Sequence, residues 1–487
     1  MKDINPIYNK TSNKKIQLSF GELWDESEVS GNQHNLVKEE ANNLECKCSS
    51  INGIVPGTLV QDFETFIDYL SAHSIQLTNK MEHISRKHLP EINKRITVRN
   101  ETATAYTEQK YYPYIHFFYF LALSGRLFEK VPGKGGKMIL HPTDRIALYK
   151  KLTDIEKYFF LLETFWVDVN WAKLLDRSDN LLIHSLHELF FICTQEKAGK
   201  VISLRNNNRW KLPYRLYDWN FFYLYFEWFG FWQCEIDQES VDSFRNKSNY
   251  FAKSIKLTLL GTKIIPILLF DRYIQIWNVS ERRIHGEINP IPGSKLNEIE
   301  YIDLPKKERN IILKRMNEDQ SSQPFFLPFQ QLFPKESLQS TLPRNKGRFT
   351  KGIYTFKVLF EKNIWRKVIL SSQHTMENLH DIILEAYDFD NDHLYSFFMD
   401  GEKWSMDCIS SPDDNSEGPK ADKVRVGDLG FIMGQRFLYL YDYGDEWQFL
   451  IEVEDIKETN PDSFQPYLKE SKGKGPEQYF YDEDWFE

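Results

Sequence analysis

Between Ser321 and Gly352 the chain reads SSQPFFLPFQQLFPKESLQSTLPRNKGRFTKG, and the apolar residues on its two sides follow different periods. Before it they recur every three or four positions, and after it they alternate. A helix gathers side chains onto one face at the first spacing and a strand at the second. A chain that changes period across a stretch with four prolines is therefore expected to fold as two different parts, with residues 331–350 as a proline-rich basic linker.

The part before the break reads as helical. In DFETFIDYLSAHSIQL, Phe63, Phe66, Ile67 and Leu70 form one apolar stripe. ISRKHLPEINKRI predicts a second helix with Ser85 available to cap it, and YPYIHFFYFLALSGRLF a third. EKVPGKGGKMILHPTDR then reads as strand, glycine turn and strand. Three helices followed by a two-stranded hairpin is the order of a winged helix. MILHPTDRIALYKKL and IKLTLLGTKIIPIL both read as strand, polar break and helix, a weak internal repeat. The expected division is a polar extension over 1–54 with one short strand at KKIQLSF, and winged-helix-like domains over 55–200 and 201–330. The remainder, 351–487, is expected to be an α+β domain on a largely antiparallel sheet, so the whole chain is α+β.

That last domain is read from IYTFKVLF and NIWRKVIL as strands and TMENLHDIILEAY as a helix that Thr375 can cap. HLYSFFMDGEKW follows as a hairpin around Asp400-Gly401, and QRFLYLYDY and EWQFLIEVEDI as paired strands. Asp442, Tyr443, Gly444 and Asp445 occupy the four positions of a turn between the last two. Gly444 at the third position would supply the positive φ of a type II turn, and Asp442 would accept a local N–H.

The pieces IWRKV, NLHDIILEAYDFDNDHLYSF, FLYLYDYGDEWQFLIEV and GKGPEQY resemble, in order and spacing, the plasmid pRiA4b ORF-three-like domain family, also labelled a passenger protein of certain insertion elements. The likeness covers about residues 350–480. GTLVQDFETFIDYL and YPYIHFFYFLALSG are similar to the helical N-terminal region of longer members. The resemblance implies an α+β domain and, through the label, a mobile-element or host-defence setting, but no reaction.

Four polar groups of this domain are candidates for one pocket: His380, His393, Asp442 and Asp445. Two imidazoles and two carboxylates suit a divalent metal, although none of them has a local ligand spacing. The competing reading is structural, with the aspartates holding the turn. Trp365 and Arg366 join the pocket set, Arg366 either gripping an anion or answering an internal aspartate. Arg86, Lys87, Lys94 and Arg95 on the second helix, with Lys130, Lys134 and Lys137 on the hairpin, are candidates for a nucleic-acid backbone.

Other motifs exclude more than they suggest. PGKGGKM has Met138 where a phosphate loop needs a hydroxyl, and HSLHELFF places His184, His187 and Glu188 in the wrong order for a zincin. Cys46 and Cys48 lack partners for a zinc shell, and five scattered cysteines suit a reduced cytoplasmic setting. No apolar run is long enough for a membrane span, so no membrane partner is expected. Residues 376–487 hold about 28 acidic and about 9 basic side chains, which leaves the first 375 at roughly +10 of a total of −9. The reading that follows is a non-enzymatic binding or regulatory protein acting through a protein or nucleic-acid partner. The alternative is a metal-dependent hydrolase built on the His/Asp set.

Overall fold

The computed structural model describes residues 57–79, 81–133, 137–176, 181–204, 221–243, 250–284, 287, 290–296, 306–344, 351–405, 407–416, 418–431, 433–459 and 464–479. The expected extension over 1–54, its strand, Cys46, Cys48 and Lys134 lie outside them. The apolar stripe of Phe63, Phe66, Ile67 and Leu70 is buried on α1 (Gly57–Ala72). A short strand β1 (Ile75–Gln76) leads to α2 (Leu89–Arg95), α3 (Pro113–Ser124) and a hairpin of β2 (Phe128–Pro132) and β3 (Met138–Pro142). Ser85 caps nothing, because α2 opens at Leu89-Pro90, where proline supplies helical φ and needs no N–H partner. In α3 every residue from Tyr114 to Ala122 is buried, which leaves that helix no solvent face.

After α4 (Asp154–Glu163) the pattern recurs. α5 (Leu181–Thr194) is followed by β4 (Val201–Ser203), α6 (Phe222–Trp228), β5 (Trp232–Ile236), β6 (Ala252–Leu257) and α7 (Leu259–Phe270). Both three-stranded sheets are antiparallel and share one order, β1-β3-β2 and β4-β6-β5. The joints match as well. Thr143 after β3 donates its hydroxyl to the Arg126 carbonyl at 2.6 Å, and Thr258 after β6 donates its hydroxyl to the Gly230 carbonyl at 2.5 Å. The second unit takes α5 from upstream of residue 201.

The stretch expected to be a linker is packed into the same core over its described part. Phe333, Leu338 and Leu342 of it are buried, beside Phe325, Phe326 and Phe329 just before it, and Phe329 and Phe333 reach the Phe159 ring at 5.3 and 5.1 Å. Its prolines break helix periodicity, but its aromatics carry too much apolar surface to stay in water, at roughly 2–3 kcal/mol each when buried.

Beyond Gly352 the alternation closes a seven-stranded sheet, β10-β9-β11-β12-β7-β8-β13, antiparallel throughout. Its members are β7 (Gly352–Glu361), β8 (Ile364–Ser371), β9 (Tyr395–Phe398), β10 (Cys408–Ser410), β11 (Arg436–Tyr441), β12 (Trp447–Glu458) and β13 (Tyr467–Lys472). Phe437, Tyr439 and Tyr441 point to a core shared with α8 (Met376–Tyr387), while Leu438 and Leu440 point to the other face. Thr375 caps α8 by accepting the Asn378 N–H. β9 pairs with β10 and β11 rather than with the residues just after Gly401, so Met399–Ser405 and Asp407 lie in the connection between β9 and β10. Among the described residues no helix is long and apolar enough to cross a membrane.

Candidate functional site

The turn after β11 is not of type II. The Glu446 N–H bonds the Asp442 carbonyl at 2.7 Å, and the positive φ values fall on Asp442 (56°) and Glu446 (55°), not on Gly444. A five-residue loop needs its left-handed residues where the chain leaves and re-enters the strands, and the short polar side chain of aspartate tolerates that conformation. Asp442 does accept a local N–H, from Gly444 at 2.8 Å.

The four-residue set separates. His380 is buried on α8, stacked on Tyr395 at 3.7 Å. Its Nε2 bonds the Asn391 side-chain oxygen at 3.0 Å and its Nδ1 the Tyr439 hydroxyl at 2.7 Å, so the ring is neutral and both nitrogens are engaged. Burial lowers its pKa to about 4, against a bond from Asn391 that acts the other way. His393 lies at the surface, its Nε2 3.4 Å from Asp442, 3.5 Å from Asp392 and 3.2 Å from the Tyr479 hydroxyl. Asp445 is exposed on the turn. Thus His393 and Asp442 meet, His380 faces the core, and among the described residues no group of three or more His, Cys, Asp or Glu is arranged to hold a metal. The divalent metal that the four would need does not fit a buried histidine whose nitrogens both have partners.

Among the described residues Arg366 pairs with no aspartate. Its guanidinium donates to the Ala386 carbonyl at 2.7 Å and to those of Trp365, Lys472 and Gly473 at 3.0, 3.1 and 3.2 Å, while lying over the Tyr387 ring. The end of α8 leaves carbonyls unpaired at its negative pole, and a five-donor cation suits them better than a carboxylate would. Trp365 lies on β8 under Lys357 and Lys367, at 5.1 and 5.4 Å from its ring.

The basic candidates of the helical part divide into paired and exposed ones. Arg86 pairs with Glu108 at 2.6 Å and Arg95 with Glu91 at 3.0 Å. Lys87, Lys94 and Lys137 are exposed. Lys130 is not on the hairpin tip but buried, bonded to Glu82 at 3.0 Å and to Glu402 at 2.6 Å. His187 is buried and stacked on Tyr273, and the side chain of His184 lies outside the described residues.

Lys130 marks the feature that the sequence did not disclose, the junction of the two parts. Lys173 also reaches Glu402, at 2.8 Å, Arg283 pairs with Asp407, and Glu129 with Arg436. Burial alone would raise the Glu402 carboxyl, but Lys130 and Lys173 outweigh it and hold the pKa at about 2. Asp400 in the same loop is pushed up to about 7, by burial first and then by the charge of Asp407. Against this junction lies a cavity of about 510 Å³. Phe120, Arg126, Trp277, Phe325 and Arg344 line it from the helical part, and Met399, Asp400, Glu402 and Gln435 from the sheet domain. Such a volume lies within the range of small-molecule sites.

The sheet domain also carries the likeness to known proteins. Residues 353–480 match the family model of the plasmid pRiA4b ORF-3-like protein. The chain is 31% identical over 98 residues to the uncharacterized protein y4hQ of Sinorhizobium fredii, across 19% of this chain and 47% of that one, so it spans about half the length of that curated relative. A crystal structure of MM3350, a protein of unknown function from Methanosarcina mazei Go1, is 26% identical over 26% of this chain and 73% of its own, with a TM-score of 0.23.

Within the pRiA4b ORF-3-like domain the four quoted sequence pieces come together at one end of the sheet. Tyr479 donates to Asp392 at 2.6 Å, Gln478 accepts the Asp390 N–H at 2.6 Å, and Arg366 holds the Gly473 carbonyl. The loop after β9 links this end to the junction: Glu402 bonds Lys130 and Lys173, while Lys403 bonds Glu446 of the turn at 2.7 Å. The sequence held one signal for this junction, the opposite net charges of its two parts.

Proposed function

We propose that the protein is a non-enzymatic binding and regulatory protein whose ligand enters the cavity between its helical part and its pRiA4b ORF-3-like domain. The observation that carries this reading is that both parts wall the cavity, so an occupant touches each and favours the arrangement in which it fits best. The loop from Asp400 to Ser405 supplies a route outward, since it contacts the cavity, the buried ion pairs and the surface turn at Glu446. The test is thermal unfolding of the full chain with a small-molecule set, beside a Leu123→Trp variant whose larger ring fills the cavity. Compounds that raise the melting temperature of the wild type are expected to act weakly on the variant. A set that stabilises both chains equally, or neither, removes the reading.

The partner that such a protein addresses is better read as a protein than as nucleic acid. The order helix, strand, helix, helix and hairpin, with β3 central, supports a winged-helix-like unit. In such units the helix before the hairpin reads the major groove, yet α3 has no exposed face. Of the sequence-predicted phosphate contacts, Lys87, Lys94 and Lys137 are exposed and without an ion pair among the described residues, a small set of the kind that gives weak, strongly salt-dependent binding. A mobility-shift titration at low and physiological salt is expected to show no retained complex at the higher salt. A sequence-selective complex that survives it would reverse the preference.

A further inference from the structure

We propose that the cavity takes an anionic molecule with an apolar body, its charged group held by Arg126 and Arg145. The proposal rests on the binding reading above and adds the chemistry of the ligand. Arg126, Arg145 and Arg344 surround a recess with Glu163 and Asp168, and the recess shares Arg126 and Arg344 with the main cavity. Arg344 satisfies both carboxylates, with Nε at 2.7 Å from Glu163 and its two terminal nitrogens at 2.6 and 2.5 Å from Asp168. Among the described residues the Arg145 side chain donates only to the backbone carbonyls of Gly125 and Pro343, at 3.1 and 3.0 Å. Arg126 is exposed, and among the described residues its guanidinium has no hydrogen-bond or ion-pair partner. In the recess three cations face two anions, and of the carboxylates that line the cavity beyond it, Glu402 is met by Lys173, Asp407 by Arg283 and Asp400 by the Ser405 hydroxyl, so among the described residues the Arg126 charge is answered by no carboxylate. Guanidinium forks match carboxylate and phosphate oxygens, which makes an anion the complementary ligand. Burial, followed by the charge of Arg126, already lowers the Arg145 pKa, a crowding that a bound anion relieves.

The backbone supplies an independent reason. Helix α3 closes with the Leu127 N–H on the Ala122 carbonyl at 2.9 Å and the Arg126 N–H on that of Leu123 at 2.8 Å, leaving Arg126 at φ 55°. The repeated unit closes α6 in the same way, with the Phe231 N–H on Phe226 at 2.9 Å and the Gly230 N–H on Glu227 at 2.8 Å, and there the residue at φ 79° is glycine. That position favours glycine because a β-carbon is crowded in the left-handed region. The first unit keeps an arginine where its sister has glycine, and that side chain bonds nothing within the described chain. Strain retained without an internal partner points to an external one. Phe120, Trp277 and Phe325 offer the apolar body its walls, and the buried Trp277 indole N–H has no acceptor among the described residues.

The test is calorimetric titration of the full chain with phenyl phosphate, inorganic phosphate and phenol, on wild type, Arg126→Lys and Arg126→Gly. Phenyl phosphate is expected to bind best. Its affinity should fall at least about tenfold in Arg126→Gly, the size of one lost charge-assisted hydrogen bond, and less in Arg126→Lys. Because glycine relieves the backbone, Arg126→Gly should melt higher than wild type, so the loss cannot be put down to misfolding. Equal binding of phenol and phenyl phosphate would overturn the anionic chemistry and leave the cavity reading standing. Unchanged affinity in Arg126→Gly would overturn the assignment to Arg126, and so would a wild type that binds none of the three probes. The cavity reading itself is judged separately by the Leu123→Trp comparison.

Discussion

Lys130 and Glu402 meet at 2.6 Å across the junction of the two parts, with only 5% and 14% of their side chains exposed. Glu82 and Lys173 complete the cluster, at 3.0 Å from Lys130 and 2.8 Å from Glu402. Part of the excess positive charge of the first 375 residues and of the negative charge beyond them is therefore turned inward, where each ion answers the other. A buried pair contributes little relative to an apolar substitute, yet losing one member is costly, because its partner is then stranded away from water.

Glu402→Gln removes the anion that both lysines face. We expect it to cost about 3 kcal/mol in urea unfolding. Lys130→Met should cost at least as much, since it leaves both Glu82 and Glu402 without that cation. A single variant that costs under about 1 kcal/mol would mean that the junction is organised by its apolar contacts instead.

Asp400 should give the junction an opposite pH dependence to the usual carboxylate. Its folded pKa, about 7, lies above the ordinary value of 3.8, so the fold favours the protonated acid. The stability this contributes is complete below about pH 4 and is lost as pH rises to about 7. Asp400→Asn stays neutral throughout. It should melt above wild type at pH 8 and level with it near pH 4, and a variant whose melting profile parallels the wild type across that range would contradict the raised pKa.

These two carboxylates mark the limit of what the sequence discloses. Local chemistry was legible: the Thr375 cap, the alternation of Phe437, Tyr439 and Tyr441, and the buried stripe of α1 each follow from neighbours a few residues away. Gly444 misled because a five-residue loop and a four-residue turn look alike in sequence, and the left-handed positions passed to Asp442 and Glu446. Lys130 misled for another reason. Glu402, which fixes its direction, lies 272 residues away, and no spacing rule reaches that far. Arg366 was read toward an aspartate because sequence displays side chains but not the unpaired carbonyls at the end of a helix.

His380 is expected to act as a structural group. His380→Ala would leave the Tyr439 hydroxyl and the Asn391 side chain without their partner and open a gap beside Tyr395, a loss of roughly 3 kcal/mol. Its folded pKa of about 4 lies below the ordinary 6.5, so the stability of the neutral ring is present above pH 6.5 and lost as pH falls through 4. Chelators should leave the melting temperature of the wild type unchanged. A drop on chelation that His380→Ala abolishes would return this residue to a metal site.

Arg366 ties three separated stretches together through carbonyls alone, at Ala386 on α8, at Trp365 on β8, and at Lys472 and Gly473 where β13 ends. A lysine keeps the charge but has neither the planar fork nor the stacking on Tyr387. Arg366→Lys should therefore destabilise the sheet domain by about 2 kcal/mol. The effect should also be local. Residues Gly473–Tyr479 run on from the carbonyls it holds to the bonds of Gln478 and Tyr479 with Asp390 and Asp392, so amide exchange should quicken along β13 and at the Asp390 N–H. Amides of β2 and β3, in the helical part, should keep their protection. Uniformly faster exchange across both parts would mean that Arg366 supports global stability rather than the seam that holds His393 and Asp442 at the surface.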